Sequence, residues 1–342
     1  MHSAMDSPRK AWLLLPVLVC IGFVMFAGAS PPPRQSGQIV FEHAPDNSAP
    51  WPTLDIYSVD ADGRHLKALT HDGHSHDPSW SPDGRYILFV HDNFVPGEPR
   101  GPGTYASHDP VELYEMDSDG AHAHLFRRFT GALFSAAWSP DGKTLAVAYN
   151  FDTYLIPANG HGKPRLLYPN ALTPAWSPDG GKLAFSRRVA GNHWVMDVGN
   201  SDGSHEVQLT NPSLDAGSPA WSPDGRLIAF AAFKVVHAGP RTSKEDQIFL
   251  MRTDGSHMRQ LTTDPNWQCA DPSWSPDGKE ITFYCRASWA PCAAGVAGGR
   301  ELPPQGCVRR IFVMRLDGLG MPTKPIQITK IDGAFPAFDP VP

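Results

Sequence analysis

Five copies of one pentapeptide, Trp-Ser-Pro-Asp-Gly, constrain what this chain of 342 residues can become. They occupy residues 80–84, 138–142, 176–180, 221–225 and 274–278, and a worn sixth copy, Phe338-Asp339-Pro340, follows near the C-terminal end. Successive copies start 58, 38, 45, 53 and 64 residues apart. That period suits a four-stranded propeller blade with loops of variable length. Within each copy, proline presets the second turn position, aspartate suits the third, and glycine takes the left-handed conformation that leads back into a strand. The Trp before the turn ends one strand, where a large ring can fill the wedge between neighbouring sheets.

The rest of each unit reads in register. After the turn comes a largely buried strand such as Arg85-Tyr86-Ile87-Leu88-Phe89 or Arg226-Leu227-Ile228-Ala229-Phe230. A third strand ends at an Asp-Gly turn, as at Asp119-Gly120 and Asp254-Gly255. The fourth closes on Leu69-Thr70, Phe129-Thr130, Leu209-Thr210, Leu261-Thr262 or Ile328-Thr329. We name these strands a to d. Residues 38–70 supply b, c and d with no strand a before them, and residues 334–341 supply a strand a with nothing after it. Joining the two completes a sixth blade and removes two exposed sheet edges. The expectation is an all-β, six-bladed β-propeller over residues 38–342.

With Pro-x-Trp-Ser-Pro-Asp-Gly, Asp-Gly and Leu-Thr recurring in this order, the sequence resembles the TolB-like β-propeller repeat proteins over nearly everything after residue 37. It departs from TolB itself, which carries an α/β domain before its propeller. Similar repeats occur in prolyl-oligopeptidase-type peptidases, whose chains continue into an α/β-hydrolase domain. No such domain, and no nucleophile elbow of the Gly-x-Ser-x-Gly kind, is expected here. The resemblance implies a binding module, since in TolB a partner lipoprotein docks over the propeller.

Composition narrows the setting. The formal net charge of −6 and the lack of a basic stripe with interleaved aromatics argue against nucleic acid as a partner. Arg9-Lys10 precede an apolar run from Ala11 to Ala29 that ends in Ala27-Gly28-Ala29, which reads as a signal peptide over residues 1–29 cleaved before Ser30. The same 19 residues are just long enough to stay as a membrane anchor, the only membrane contact expected. Val19 is too large for lipoprotein processing at Cys20. Residues 30–37, with Pro31-Pro32-Pro33, read as a stiff linker. The propeller is thus expected to be exported, periplasmic or extracellular, as a monomer. Outside the leader, four cysteines remain: Cys269, Cys285, Cys292 and Cys307. An oxidising compartment favours disulfides over a zinc site lacking a close Cys-x-x-Cys pair. The hairpin about Pro276 sets Cys269 nearly opposite Cys285, leaving Cys292 and Cys307 to staple the excursion between strands b and c.

In a blade ordered a to d, the d-to-a and b-to-c loops share one face of the ring. Every long connection falls there: residues 91–110, 186–193, 231–246 and 286–308. Binding sits on variable loops of a rigid scaffold. Two groups of candidates follow. Asp77, Ser135, Thr173, Ser218 and Asp271 all stand three residues before the repeat Trp, so they should ring the mouth of the central channel, with the two carboxylates in opposite parts of the ring. They suit a cation or a basic peptide end, or else they merely satisfy backbone groups at a strand start. The second group is His71, His74 and His76, near Asp72, Asp77, His91-Asp92 and His108-Asp109. Its reading is a divalent transition metal or a solvated polar loop, because no ligand spacing such as His-Glu-x-x-His is present. No cofactor beyond that possible metal is expected. Two functions remain open. One is non-catalytic binding of a protein or cell-envelope component across the loop-rich face. The other is a metal-dependent lyase or hydrolase on an anionic carbohydrate, as the use of channel-mouth histidines by some propeller lyases implies.

Overall fold

The repeat Ser does more than make a turn. In a computed structural model of the chain, Ser81 Oγ donates to Asp83 Oδ1 (2.7 Å) and accepts from the Tyr86 backbone, while Asp83 Oδ1 accepts from the Arg85 backbone. The same circuit recurs at Ser139, Ser177, Ser222 and Ser275. The five turn aspartates are therefore consumed by the scaffold. The Thr of Leu-Thr is explained in the same way. Thr70, Thr210, Thr262 and Thr329 accept from the strand c backbone at Ile56, Met196, Ile248 and Ile311, tying strand d to strand c.

The structure describes residues 37–44, 54–92, 110–238, 241–264, 266–287, 295–297, 300–302, 309–317 and 322–341. The leader, residues 30–36 of the linker, His108, Asp109, Cys292 and Cys307 lie outside them. Among the described residues no helix is long and apolar enough to cross a membrane.

Six four-stranded antiparallel sheets result. Blade 1 is Ala334–Phe338, Gln38–His43, Asp55–Asp60 and Lys67–Ala68, in that spatial order. The chain closes through it, with Ile39 opposite Phe338 and Val40 opposite Ala337. Blade 2 runs from Ser75–Trp80 to His124–Thr130, blade 3 from Leu133–Trp138 to Arg165–Tyr168, and blade 4 from Ala171–Trp176 to Val207–Gln208. Blade 5 runs from Ala216–Trp221 to Arg259–Gln260, and blade 6 from Trp267–Trp274 to Ile326–Gln327. The six a strands touch one another in a closed ring, Ala334–Phe338 meeting both Trp267–Trp274 and Ser75–Trp80. They are the innermost strands.

The core fills the wedges between blades. One cluster joins Ile248 and Leu250 of blade 5 to Trp274, Ile281 and Phe283 of blade 6. Another joins Ile39, Phe41 and Phe338 of blade 1 to Ile311 and Val313 of blade 6. The repeat Trp adds a directional bond across each wedge. Trp80, Trp176, Trp221 and Trp274 donate Nε1–H to the carbonyls of Ala337, Ala137, Ala175 and Ala220, each in the preceding blade, at 3.1–3.2 Å. Trp138 breaks the series, its buried Nε1 having no hydrogen-bond partner.

Two of the long connections are ordered β-ladder. In blade 5 the pairing of Leu227–Ala238 with Arg241–Arg252 continues without a break to Ala238 opposite Arg241, so residues 231–238 and 241–246 are paired strands, not loop. In blade 4, Val189 still pairs with His193, leaving three residues between them. Inside 286–308 a separate two-stranded ladder joins Gly295–Ala297 to Arg300–Leu302.

Cys269 and Cys285 face each other across strands a and b of blade 6 and form a disulfide. Both are buried in the wedge against blade 5. Replacing both with Ser should cost about 2–4 kcal/mol. Denaturant unfolding checks this, and a double mutant as stable as the parent would mean the bridge constrains nothing.

Candidate functional site

The residue three positions before the repeat aromatic is set by one local conflict. Asp77, Thr173, Ser218, Asp271 and Phe335 each precede a proline, and each has φ of 50–51°. Proline disfavours helical backbone in the residue before it, and a non-glycine residue pays for a left-handed φ. The conformation is held by a bulge in the a–b ladder of each of these blades. Ser135 is followed by Ala136 instead, and it keeps an ordinary negative φ and pairs with Ala148. Five of the six inner positions thus hold a left-handed φ against the preference of a following proline.

The hydroxyl members are knitted together. Thr173 Oγ1 lies 2.6 Å from Ser186 Oγ, and Ser186 Oγ accepts from the Ser218 backbone of the next blade. The Ser218 side chain in turn hydrogen-bonds Asp271. Ser135 Oγ is buried without a partner in this network.

The two carboxylates are not in opposite parts of the ring. Because blade 1 is assembled from both chain ends, Asp77 (blade 2) and Asp271 (blade 6) flank it on either side. Between them lies a residue that sequence reasoning missed. Glu42, on strand b of blade 1, is 2% exposed, and one of its carboxylate oxygens lies within 4.8 Å of ligand atoms of both His76 and Asp77. Glu42 also acts electrostatically on Asp271. Asp271, Glu42 and Asp77 therefore form an acidic arc. Its cation is Arg309, 6% exposed, whose Nη1 donates to Glu42 Oε1 (3.1 Å) and whose Nη2 lies 3.5 Å from Asp332 Oδ2. The only hint in the sequence was a Glu inside the apolar run Ile39-Val40-Phe41-Glu42.

Asp271 is partly exposed on strand a of blade 6. Burial pushes its carboxyl up to about 6; Glu42 adds to the rise, while the Ser218 hydrogen bond and Arg309 oppose it. Burial likewise pushes the Tyr284 hydroxyl up beside Asp271. A carboxyl raised by folding keeps its proton in the folded state at pH values where the unfolded chain has lost it. The resulting stability is full below about pH 4 and is lost as pH rises through 6. Asp271→Asn should accordingly raise stability at pH 8 by on the order of 1–3 kcal/mol, after discount for partial exposure, and change it little at pH 4.5. Thermal melts in chelator at the two pH values measure this, and an equal effect at both would refute it.

The histidine group is dispersed. His71 is exposed, and the His74 ring lies 5.8 Å from that of His91. Only His76 is buried, with Nδ1 3.3 Å from Asp77 Oδ2 and Nε2 3.1 Å from Asp92 Oδ2. Asp72 serves this loop internally. Burial works against its charge, but hydrogen bonds from His91, the His74 backbone and Ser75 bring it down to about 2. Asp72 in turn raises His91. The letters Gly-x-Ser-x-Gly do occur, at residues 199–203, where Ser201 lies in the c-to-d turn of blade 4. That turn joins two strands, so the strand-to-helix geometry of a nucleophile elbow is missing.

The architecture is that of a six-bladed β-propeller closed through both chain ends. Its sequence matches the TolB beta propeller domain over residues 103–288, more than half the chain, and the protein belongs to that family. A putative TolB from Agrobacterium tumefaciens is 21% identical, with 88% of this chain and 91% of that one covered and a TM-score of 0.60. TolB from Acinetobacter baumannii is 16% identical, covering 91% and 68%, with a TM-score of 0.61. An oligogalacturonate lyase from Vibrio parahaemolyticus, 13% identical, covers 78% and 74% at a TM-score of 0.51. At these identities the likeness is one of fold. No curated protein sequence matches the chain.

Proposed function

We propose that the protein is an exported, non-catalytic propeller that binds a protein or cell-envelope component through its loop-rich face, with the channel mouth as the polar focus. The observation that carries this reading is the acidic arc. Asp271, Glu42 and Asp77 are gathered around blade 1, and burial acts against the charge of Asp271. Groups held at a cost to stability mark binding sites more often than scaffold. The arc suits a cationic group on the partner, a lysine, an arginine or a chain amino-terminus, with Thr173 and Ser218 placing hydroxyls on blades 4 and 5.

Export is supported by the leader-like sequence and by the Cys269–Cys285 disulfide. The metal-dependent lyase or hydrolase reading is not favoured, since three carboxylates oppose an anionic carbohydrate. A pull-down from envelope extract tests the proposal, with the propeller and its Asp77→Asn/Asp271→Asn variant as baits. A component retained by the parent and lost by the folded variant is the expected result. One retained equally by both would move the site to the connections at 91–110 and 286–308.

A further inference from the structure

We propose that Glu42, His76 and Asp77 form a divalent transition-metal site at the seam between blades 1 and 2, separate from the dispersed His71 and His74. The geometry comes first. Among the described residues, these three make a grouping whose ligand atoms all lie within 4.8 Å of one another. Glu42 and His76 are 2% and 3% exposed, and the Asp77 side chain is 8% exposed. They come from two blades, strand b of blade 1 and strand a of blade 2, so an ion there would join the closing blade to its neighbour.

Three further observations point to an ion. Glu42 Oε2 is buried with no hydrogen-bond partner, while its other oxygen is taken by Arg309. A buried carboxylate oxygen without a donor costs free energy that a cation would recover. Next, the His76 ring stands between two carboxylates, with Nδ1 3.3 Å from Asp77 Oδ2 and Nε2 3.1 Å from Asp92 Oδ2, the second an ion-pair distance without a hydrogen bond. A carboxylate beside one ring nitrogen can orient a ligating histidine so that the other nitrogen faces the ion. Lastly, Arg309 is shared between Glu42 and Asp332, so its one positive charge does not neutralise both. One imidazole with two carboxylates suits zinc or manganese better than calcium, which prefers oxygen alone. Three protein donors leave zinc a coordination position for water or an incoming group.

Metal binding is tested directly on the folded chain. Untagged full-length chain is stripped with chelator, then titrated with Zn²⁺, Mn²⁺ and Ca²⁺ by calorimetry, with melting temperature read in parallel. The expected result is one Zn²⁺ or Mn²⁺ per chain and a raised melting temperature on binding. His76→Gln should abolish binding, Asp92→Asn should weaken it about 10–100-fold, and His71→Ala should leave it unchanged. No stoichiometric Zn²⁺ or Mn²⁺ on the folded parent, or unchanged binding by His76→Gln, would overturn the site. Should His76→Gln fail to fold, Asp92→Asn at parental affinity would do the same. Partner capture by His76→Gln is read separately, because Asp77 and Asp271 are intact in it.

Discussion

Deleting residues 334–342 is expected to unfold the whole propeller instead of trimming its last strand. Ala334–Phe338 is strand a of blade 1, and it pairs the C-terminal end of the chain with Gln38–His43 as a sheet ladder. Without it, Ile39, Phe41, Ile311 and Val313, all now 0–5% exposed, lose a wall of their wedge together with Phe338 itself. Fully burying such a side chain contributes about 1.5–3 kcal/mol. Losing even part of that from five residues approaches the 5–15 kcal/mol by which a domain is usually stable. The Trp80 bond to Ala337 goes as well, and two sheet edges open. Calorimetry of full-length and truncated chains measures the effect. A truncated chain with a cooperative transition at the parental temperature would disprove closure through blade 1.

The sequence declared its scaffold because turn chemistry is local. Ser-Pro-Asp-Gly can be read without knowing what lies across the ring, and so can the register that faces Cys269 with Cys285. The acidic arc could not be read that way. Glu42 and Arg309 are 267 residues apart in sequence yet share an ion pair. Asp77 and Asp271 look distant along the chain and were placed apart for that reason, although circular closure makes their blades the two neighbours of blade 1. The strain at Asp77 and Asp271 was legible in principle, since each is followed by proline where Ser135 is not. The strand at Arg241–Asp246 was hidden because the run Arg241-Thr242-Ser243-Lys244-Glu245-Asp246 is polar throughout and shows no apolar alternation to read.

The central claim is that the channel mouth recognises a cationic group through carboxylates gathered around blade 1. The most direct test is the affinity of the captured partner for parent and Asp77→Asn/Asp271→Asn propellers, measured at low and high ionic strength, with circular dichroism confirming the fold. With chelator present, so that no ion held at Asp77 is lost with the charge, both substitutions keep size and one acceptor oxygen while removing the charge. The account predicts a dissociation constant raised on the order of 10–100-fold at low salt, about 1.4–2.8 kcal/mol. It also predicts a narrower gap at high salt, because screening weakens the parent's attraction and leaves the variant nearly unaffected. Equal affinities for the two folded proteins at low salt would contradict the account and place recognition elsewhere on the propeller.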